Sequence, residues 1–353
     1  MKTSKNYTKI TQSLLISSLA FIFTSVNAAD GVEFKLSGQV SRAITSVDNG
    51  VDEDVLFVDN NNSGTRFRLT GKMDVRPGLT AGIIWETQYQ DNSSGSIDIG
   101  DSDNSSTFAS RKRDLWFKGG FGKVSLGQGD GAANGTSEVD FSGTTIADYS
   151  GQDLYDGVDF VDAAGTVVSS NGGAFNNFDG LSRNDRVRYD TPTFGPVGVA
   201  ISAGQDKAEV AVRYSQKLRG GSKIGAALGY VGTDDPGKDN LKQLGLSASF
   251  IAAGGFNITG AYGEQDFDTG PKSTLDPTNA YVKVGQKFGS SAVSLSYTKT
   301  EDQAGANLEA ERTNLAYVYN IAKGVELFSD YEKASLDGAQ DKDLFAIGSR
   351  IKF

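Results

Sequence analysis

The sequence predicts an all-β chain that crosses a membrane as a closed antiparallel barrel of about sixteen strands. Three observations predict it. The chain opens with an export leader, its side chains then alternate apolar and polar with a period of two, and its connections alternate between tight turns and long polar loops.

The leader comes first. Lys2, Lys5 and Lys9 form a positive start, Leu14 to Phe23 an apolar stretch, and Val26-Asn27-Ala28 a small-x-small cleavage site, so residues 1–28 read as a signal peptide and 29–353 as the mature domain. The apolar stretch is shorter than the roughly 20 residues a spanning helix needs. No later run reads as a transmembrane helix either, but a barrel strand needs only about 9–11 residues with alternate ones apolar.

Composition narrows the function. The chain carries 34 Lys and Arg against 44 Asp and Glu, and the leader removes three of the lysines, which disfavours nucleic acid as a partner. Without cysteine there is no disulfide framework. Without histidine there is no Ser-His-Asp triad, no His base and no His metal site, so an enzyme is not expected. Asp98-Ile99-Gly100-Asp101-Ser102-Asp103-Asn104 is acidic but lacks the sixth-position glycine and bidentate glutamate of a calcium loop. No metal and no cofactor is assigned.

The strands follow in order. Val32, Phe34, Leu36 and Val40 oppose Glu33, Lys35, Ser37, Gln39 and Ser41. The same alternation recurs in Leu244–Phe250, in Val293–Tyr297 and in the last strand, where Phe345, Ile347, Ile351 and Phe353 oppose Gly348, Arg350 and Lys352. Tight turns fall at Pro77-Gly78, Gly119–Gly122, Arg219–Ser222, Ala252–Gly255, Gly289–Ser291 and Ile321–Gly324, with longer loops near 46–63, 91–110, 130–182, 232–240, 266–277, 301–310 and 334–342. The intervening strands are 32–45, 64–75, 79–90, 111–119, 123–129, 184–191, 197–204, 207–217, 223–231, 241–250, 256–265, 278–288, 292–300, 311–320, 325–333 and 343–353. Aromatics such as Trp85, Tyr89, Trp116, Tyr230, Tyr297 and Tyr317 gather near strand ends, as interfacial girdles require.

At this point the residues resemble the Gram-negative general diffusion porins. The resemblance runs through Leu36–Val40, Thr65–Lys72 with Pro77–Gly82, Phe117–Gly127, Val187–Phe194 and the terminal Phe353, in that order. It implies a sixteen-stranded barrel in the outer membrane of a Gram-negative bacterium, usually a homotrimer among lipid and lipopolysaccharide. It further implies that Phe353 is presented to the barrel-assembly machinery and that the third external loop folds into the lumen. By the count of turns, that third loop is 130–182, the longest in the chain.

The family places an acidic loop opposite arginines on the barrel wall. In the loop, Glu138-Val139-Asp140-Phe141-Ser142-Gly143 resembles the acidic tip, and Asp148, Asp153, Asp156, Asp159, Asp162 and Asp179 follow. Arg66 and Arg68 oppose Phe67 and Leu69 in phase and should face the lumen, as should Arg186 and Arg188 opposite Val187 and Tyr189. Arg111 and Arg113 open the fourth strand with an ambiguous phase, and Arg42 shares the lipid phase of Val40. The expected constriction set is therefore Arg66, Arg68, Arg113, Arg186, Arg188, Glu138, Asp140 and Asp148, with Asp140 foremost among the acids. Fixed charges at this range orient dipolar solutes, and the negative balance suggests a mild cation preference. A passive channel for ions and small hydrophilic solutes is the expected function. A substrate-selective porin is the near alternative, although Tyr281 and Phe328 are the few aromatics on the polar phase. A secreted all-β adhesin is the alternative of another class.

Overall fold

A computed structural model describes residues 31–101, 106–234, 240–268, 270 and 272–353. The expected leader, residues 1–28, lies outside the described residues, as do Ser102, Asp103 and Asn104 of the acidic stretch.

Strand β1 (Glu33–Asp48) is followed by a short β2 (Glu53–Asp59) and by the meander β3 (Arg66–Arg76), β4 (Leu79–Gln90), β5 (Thr107–Gly119) and β6 (Gly122–Asp130). A small hairpin, β7 (Asp159–Val161) with β8 (Val167–Ser170), forms a separate two-stranded sheet, followed by the single turn α1 (Asn171–Ala174). The meander resumes with β9 (Arg183–Asp190), β10 (Val197–Gly204), β11 (Lys207–Lys217), β12 (Lys223–Thr233) and β13 (Leu241–Ile251). It ends through β14 (Phe256–Phe267), β15 (Thr278–Phe288), β16 (Ser291–Glu301), β17 (Glu309–Ala322), β18 (Val325–Leu336) and β19 (Lys342–Lys352).

Each strand of the meander pairs antiparallel with the next, and β6 pairs with β9 across the excursion that carries β7 and β8. The ring closes where β1 meets β19, from Gln39 opposite Lys352 to Asp48 opposite Asp343. Sixteen strands make the closed barrel, and β2 adds a flap on the second half of β1 while β3 pairs with the first half. Closure satisfies the backbone N–H and C=O groups along every strand, which lipid cannot do.

The period of two becomes two faces. Along β17, Leu315, Tyr317 and Tyr319 are exposed, while Arg312, Asn314, Ala316 and Val318 between them are buried. The exposed residues are the apolar ones, an arrangement that water punishes and a bilayer requires. No helix among the described residues is long and apolar enough to cross a membrane, which says nothing of strands. At the seam, the backbone N–H groups of Gly38 and Phe353 each donate to the other residue's carbonyl, at 2.9 and 3.0 Å. The Phe353 ring lies so close over Gly38 that a Cβ there would stand 2.5 Å from it, so glycine is what the terminal aromatic can cover.

The sixteen expected strands all form, and 79–90, 197–204, 207–217 and 278–288 match to the residue. Two expectations need correction. The loop at 46–63 contains β2, because alternation continues past the expected end of β1 at 45 and the hairpin stands taller than its apolar residues indicate. The loop expected at 130–182 starts one residue later, since Asp130 ends β6, and it folds its own hairpin and helical turn around buried Phe160 and Phe175.

Candidate functional site: an arginine wall facing an acidic segment

The wall is organised by Glu86, whose side chain is only 1 % exposed. The β3–β4 turn sets a register with Arg68 opposite Glu86, and Arg68 Nε donates to Glu86 Oε2 at 2.6 Å. Arg111 on β5 donates from Nε to Oε1 at 2.7 Å, and Arg66 stands 3.7 Å from the same oxygen. Three guanidiniums thus share one carboxylate, leaving two positive charges uncompensated on this patch.

Arg111 joins them through a bulge. Lys112 lies opposite Glu86 and Ser110 opposite Thr87, so Arg111 is the extra residue. A bulge re-aims side chains and shifts the phase beyond it. Arg111 and Lys112 therefore both reach the polar face, with Lys112 paired to Asp130, while Arg113 keeps the outward phase of Leu115 and Phe117. This corrects the expectation for Arg113, which is exposed with Leu115 and Phe117 and, among the described residues, donates to Gln128. Arg42 is on the exposed face as expected, 2.9 Å from Asp59.

Arg186 and Arg188 point away from exposed Val187, as expected, but their charges are committed. Arg186 grips Asp114 with both terminal nitrogens at 2.9 Å and donates also to the Gly127 and Asp130 carbonyls. Its side chain is 3 % exposed, so it ties β5, β6 and β9 together. Arg188 pairs with Asp190 and donates to the Gly131 carbonyl at 2.7 Å, holding the start of the long segment.

The segment 131–182 meets the polar face strand by strand. Ser202 of β10 and Glu209 of β11 accept from the Ala132 and Ala133 N–H groups at 2.8 and 2.7 Å, and Arg213 donates to the Ala132 and Asn134 carbonyls. Ser247 of β13 bonds Thr136 and Val139. On β15, Lys283 Nζ lies 2.9 Å from Asp140 and 3.3 Å from Asp148, and donates to the Asp148 carbonyl at 2.6 Å. Further on, Arg312 donates to the Ser150 and Gln152 carbonyls, Asn171 to Glu332, and Lys342 of β19 to the Val158 carbonyl. Apolar packing follows the same path: Ile146, Leu154, Tyr155 and Val158 bury against Val318, Phe328, Leu344 and Ala346 of the wall. Phe328 is buried in this contact, and buried Tyr281 donates from its hydroxyl to Asp148 at 3.4 Å.

The expected acids divide accordingly. The Asp140 and Asp148 side chains are 3 % and 1 % exposed on Lys283, so they are fastenings and do not face the arginines. Glu138 does line the open space. Burial pushes its carboxyl up to about 8, helped by the Asp179 charge. Beside it, burial lifts Asp153 to about 6 and raises Asp156 further, the two sharing a hydrogen bond. Burial also raises Asp179, against the pull of the Gly135 and Ser137 N–H groups. A cavity of about 580 Å³ lies between these acids and Arg66, Arg111 and Arg183, edged by Asn61, Asn62, Gln88 and Asn177.

Sequence reasoning missed Glu86, Lys283 and Arg183. Counting from the Pro77-Gly78 turn places Glu86 opposite Arg68, so that signal was present. Lys283 sits between exposed Val282 and Val284, which also marks it as inward. Nothing local marks Arg183, the first residue of β9. Among the described residues no cluster of His, Cys, Asp and Glu is arranged to hold a metal ion.

Comparison with known proteins follows the fold. Residues 16–339 match a family model described as Gram-negative porin. No curated protein matches the sequence. Among solved structures, an anion-selective porin from Comamonas acidovorans superposes with a TM-score of 0.66 at 20% identity, over 91% of this chain and 100% of that one. OmpT of Vibrio cholerae in its trimer form gives 0.59 at 14% identity, over 92% and 100%. A mutant of the Rh. blastica porin gives 0.57 at 15%, over 91% and 100%. At these identities the likeness shows the fold.

Proposed function

The chain belongs to the Gram-negative porin family, an outer-membrane β-barrel group, and from that premise we propose that it is a water-filled channel for passive diffusion of ions and small hydrophilic solutes. In the same reading, residues 1–28 are a cleaved leader and the loop 130–182 lies inside the barrel as its constriction. The support for the latter is that wall partners of the segment such as Ser202, Glu209 and Lys283 alternate with the exposed apolar residues Ile201, Val210, Val282 and Val284. The observation that carries the channel reading is the pairing of opposites across one cavity. Arg66 and Arg111 on the wall, with two net charges around Glu86, look across at Glu138, Asp153, Asp156 and Asp179. A transverse field of that kind favours dipolar solutes over apolar ones.

For ions, the acidic balance of the chain supports a mild cation preference. The arginine patch works against it, and Asp140 and Asp148 add nothing, being matched by Lys283. Assembly as a homotrimer in lipid and lipopolysaccharide, after delivery to the assembly machinery by Phe353, completes the proposal. The OmpT neighbour described as a trimer supports the assembly.

The test is the current across a planar bilayer under a salt gradient after adding detergent-purified protein. Stepwise openings support the channel, and folded, inserted protein without conductance overturns it. A reversal potential on the anion side would overturn the cation preference and put the arginine wall in control.

A further inference from the structure

Among the described residues, one basic side chain and one acidic oxygen are left without a partner in the cavity between wall and segment. Its volume of about 580 Å³ lies within the roughly 300–1,000 Å³ of small-molecule sites. On one side Arg183 lines it and forms no ion pair among the described residues, although its charge is felt by Glu138 and Asp153. On the other side Asp156 Oδ1 is shielded from solvent and has no hydrogen-bond partner. A shielded acceptor without a donor is uncommon in folded proteins and points to a missing partner. Gly172 keeps this carboxylate in place: a Cβ at 172 would stand 3.0 Å from its Cγ.

A ligand of single charge satisfies only one side. An anion drawn to Arg183 meets Glu138, Asp153, Asp156 and Asp179, and a cation drawn to the acids meets Arg66, Arg111 and Arg183. A sugar would want an aromatic platform, and only Tyr149 and Phe175 supply rings here. We propose that this cavity is a subsite for small zwitterions, α-amino acids or short peptides, with the carboxylate on Arg183 and the ammonium on the Asp153–Asp156 pair. The inference rests on the channel reading and names the solute class for it. Charge-assisted hydrogen bonds at both ends delay the solute in passage.

The test is single-channel recording of the full-length protein with four probes of similar size. These are glycylglycine as zwitterion, N-acetylglycine as anion, glycinamide as cation and N-acetylglycinamide as neutral control. Glycylglycine should interrupt the current roughly threefold longer than any of the other three, a modest free-energy difference. The ratio should fall toward unity in both Asp156→Asn and Arg183→Gln, each scored against its own controls so that altered bare conductance does not enter. Equal interruptions by glycylglycine and N-acetylglycine overturn the proposal in favour of an anion subsite, and no interruption by any probe overturns it outright. In both cases the channel stands, whereas folded, inserted protein without conductance removes the channel reading itself.

Discussion

Lys283 Nζ lies 2.9 Å from Asp140 Oδ2, and the lysine side chain is fully buried. The residue expected to supply the pore's foremost negative charge is thus spent on fastening the segment to β15. Removing one partner of a buried pair leaves an uncompensated charge, typically at a cost of about 3–5 kcal/mol. Lys283→Met should therefore lower thermal stability markedly, and adding Asp140→Asn with Asp148→Asn should restore much of it. Heat denaturation of the purified barrel followed by circular dichroism checks both halves.

Arg111 and Arg113 should part company. Arg111 belongs to the cluster on Glu86 and Arg113 to the outer face. Arg111→Gln should move the reversal potential toward cations, and Arg113→Gln should leave it where it was. An equal shift from both would mean that the bulge at Arg111 does not set the phase of β5.

Arg186 and Arg68 should differ, the first acting as a strut and the second as a charge on the polar face. Arg186→Met leaves Asp114 buried and alone, so it should cost about 3–5 kcal/mol of stability. Arg68 is 43 % exposed and Glu86 keeps two other partners, so Arg68→Gln should change ion preference more than melting temperature. Measuring both quantities on both variants separates the roles.

On the channel reading, the acids of the segment should make ion preference depend on pH. Burial holds Asp153 up to about 6 and Glu138 up to about 8, so both gain charge as pH rises through that window. Cation preference should grow from acid to mildly alkaline pH, read as a drift in reversal potential. Stability runs the other way. A carboxyl raised in the folded state contributes most below its unfolded value, and the contribution declines as pH climbs to the folded value. The segment should be held best in mild acid. Glu138→Gln should flatten the upper part of both curves.

The sequence carried the barrel almost whole, because a period of two and alternating turns are local signals repeated along the chain. Phe67 and Val187 announced the inward aim of Arg66, Arg68, Arg186 and Arg188 in this way. What it could not carry were relations between distant residues. Nothing near Asp140 reveals a lysine 143 positions on, and nothing near Arg186 reveals Asp114. Arg113 keeps the plain alternation of Leu115 and Phe117 and was legible as outward, whereas Arg111 was hidden by the one extra residue that re-aims it. The acids of the segment all looked alike in sequence, and only burial and neighbours divide Glu138 from Asp140.

The seam between β1 and β19 sets the order of events in the protein's making. The first strand of the barrel finds its closing partner only in the last eleven residues of the chain. A ring cannot be completed while its final member is still on the ribosome or in transit, and contacts so remote in sequence form slowly. Until Phe353 arrives, the chain exposes two unpaired edges that invite misassembly. Closure is thereby the step that waits longest, because the seam cannot form before β19 is at hand to pair with β1.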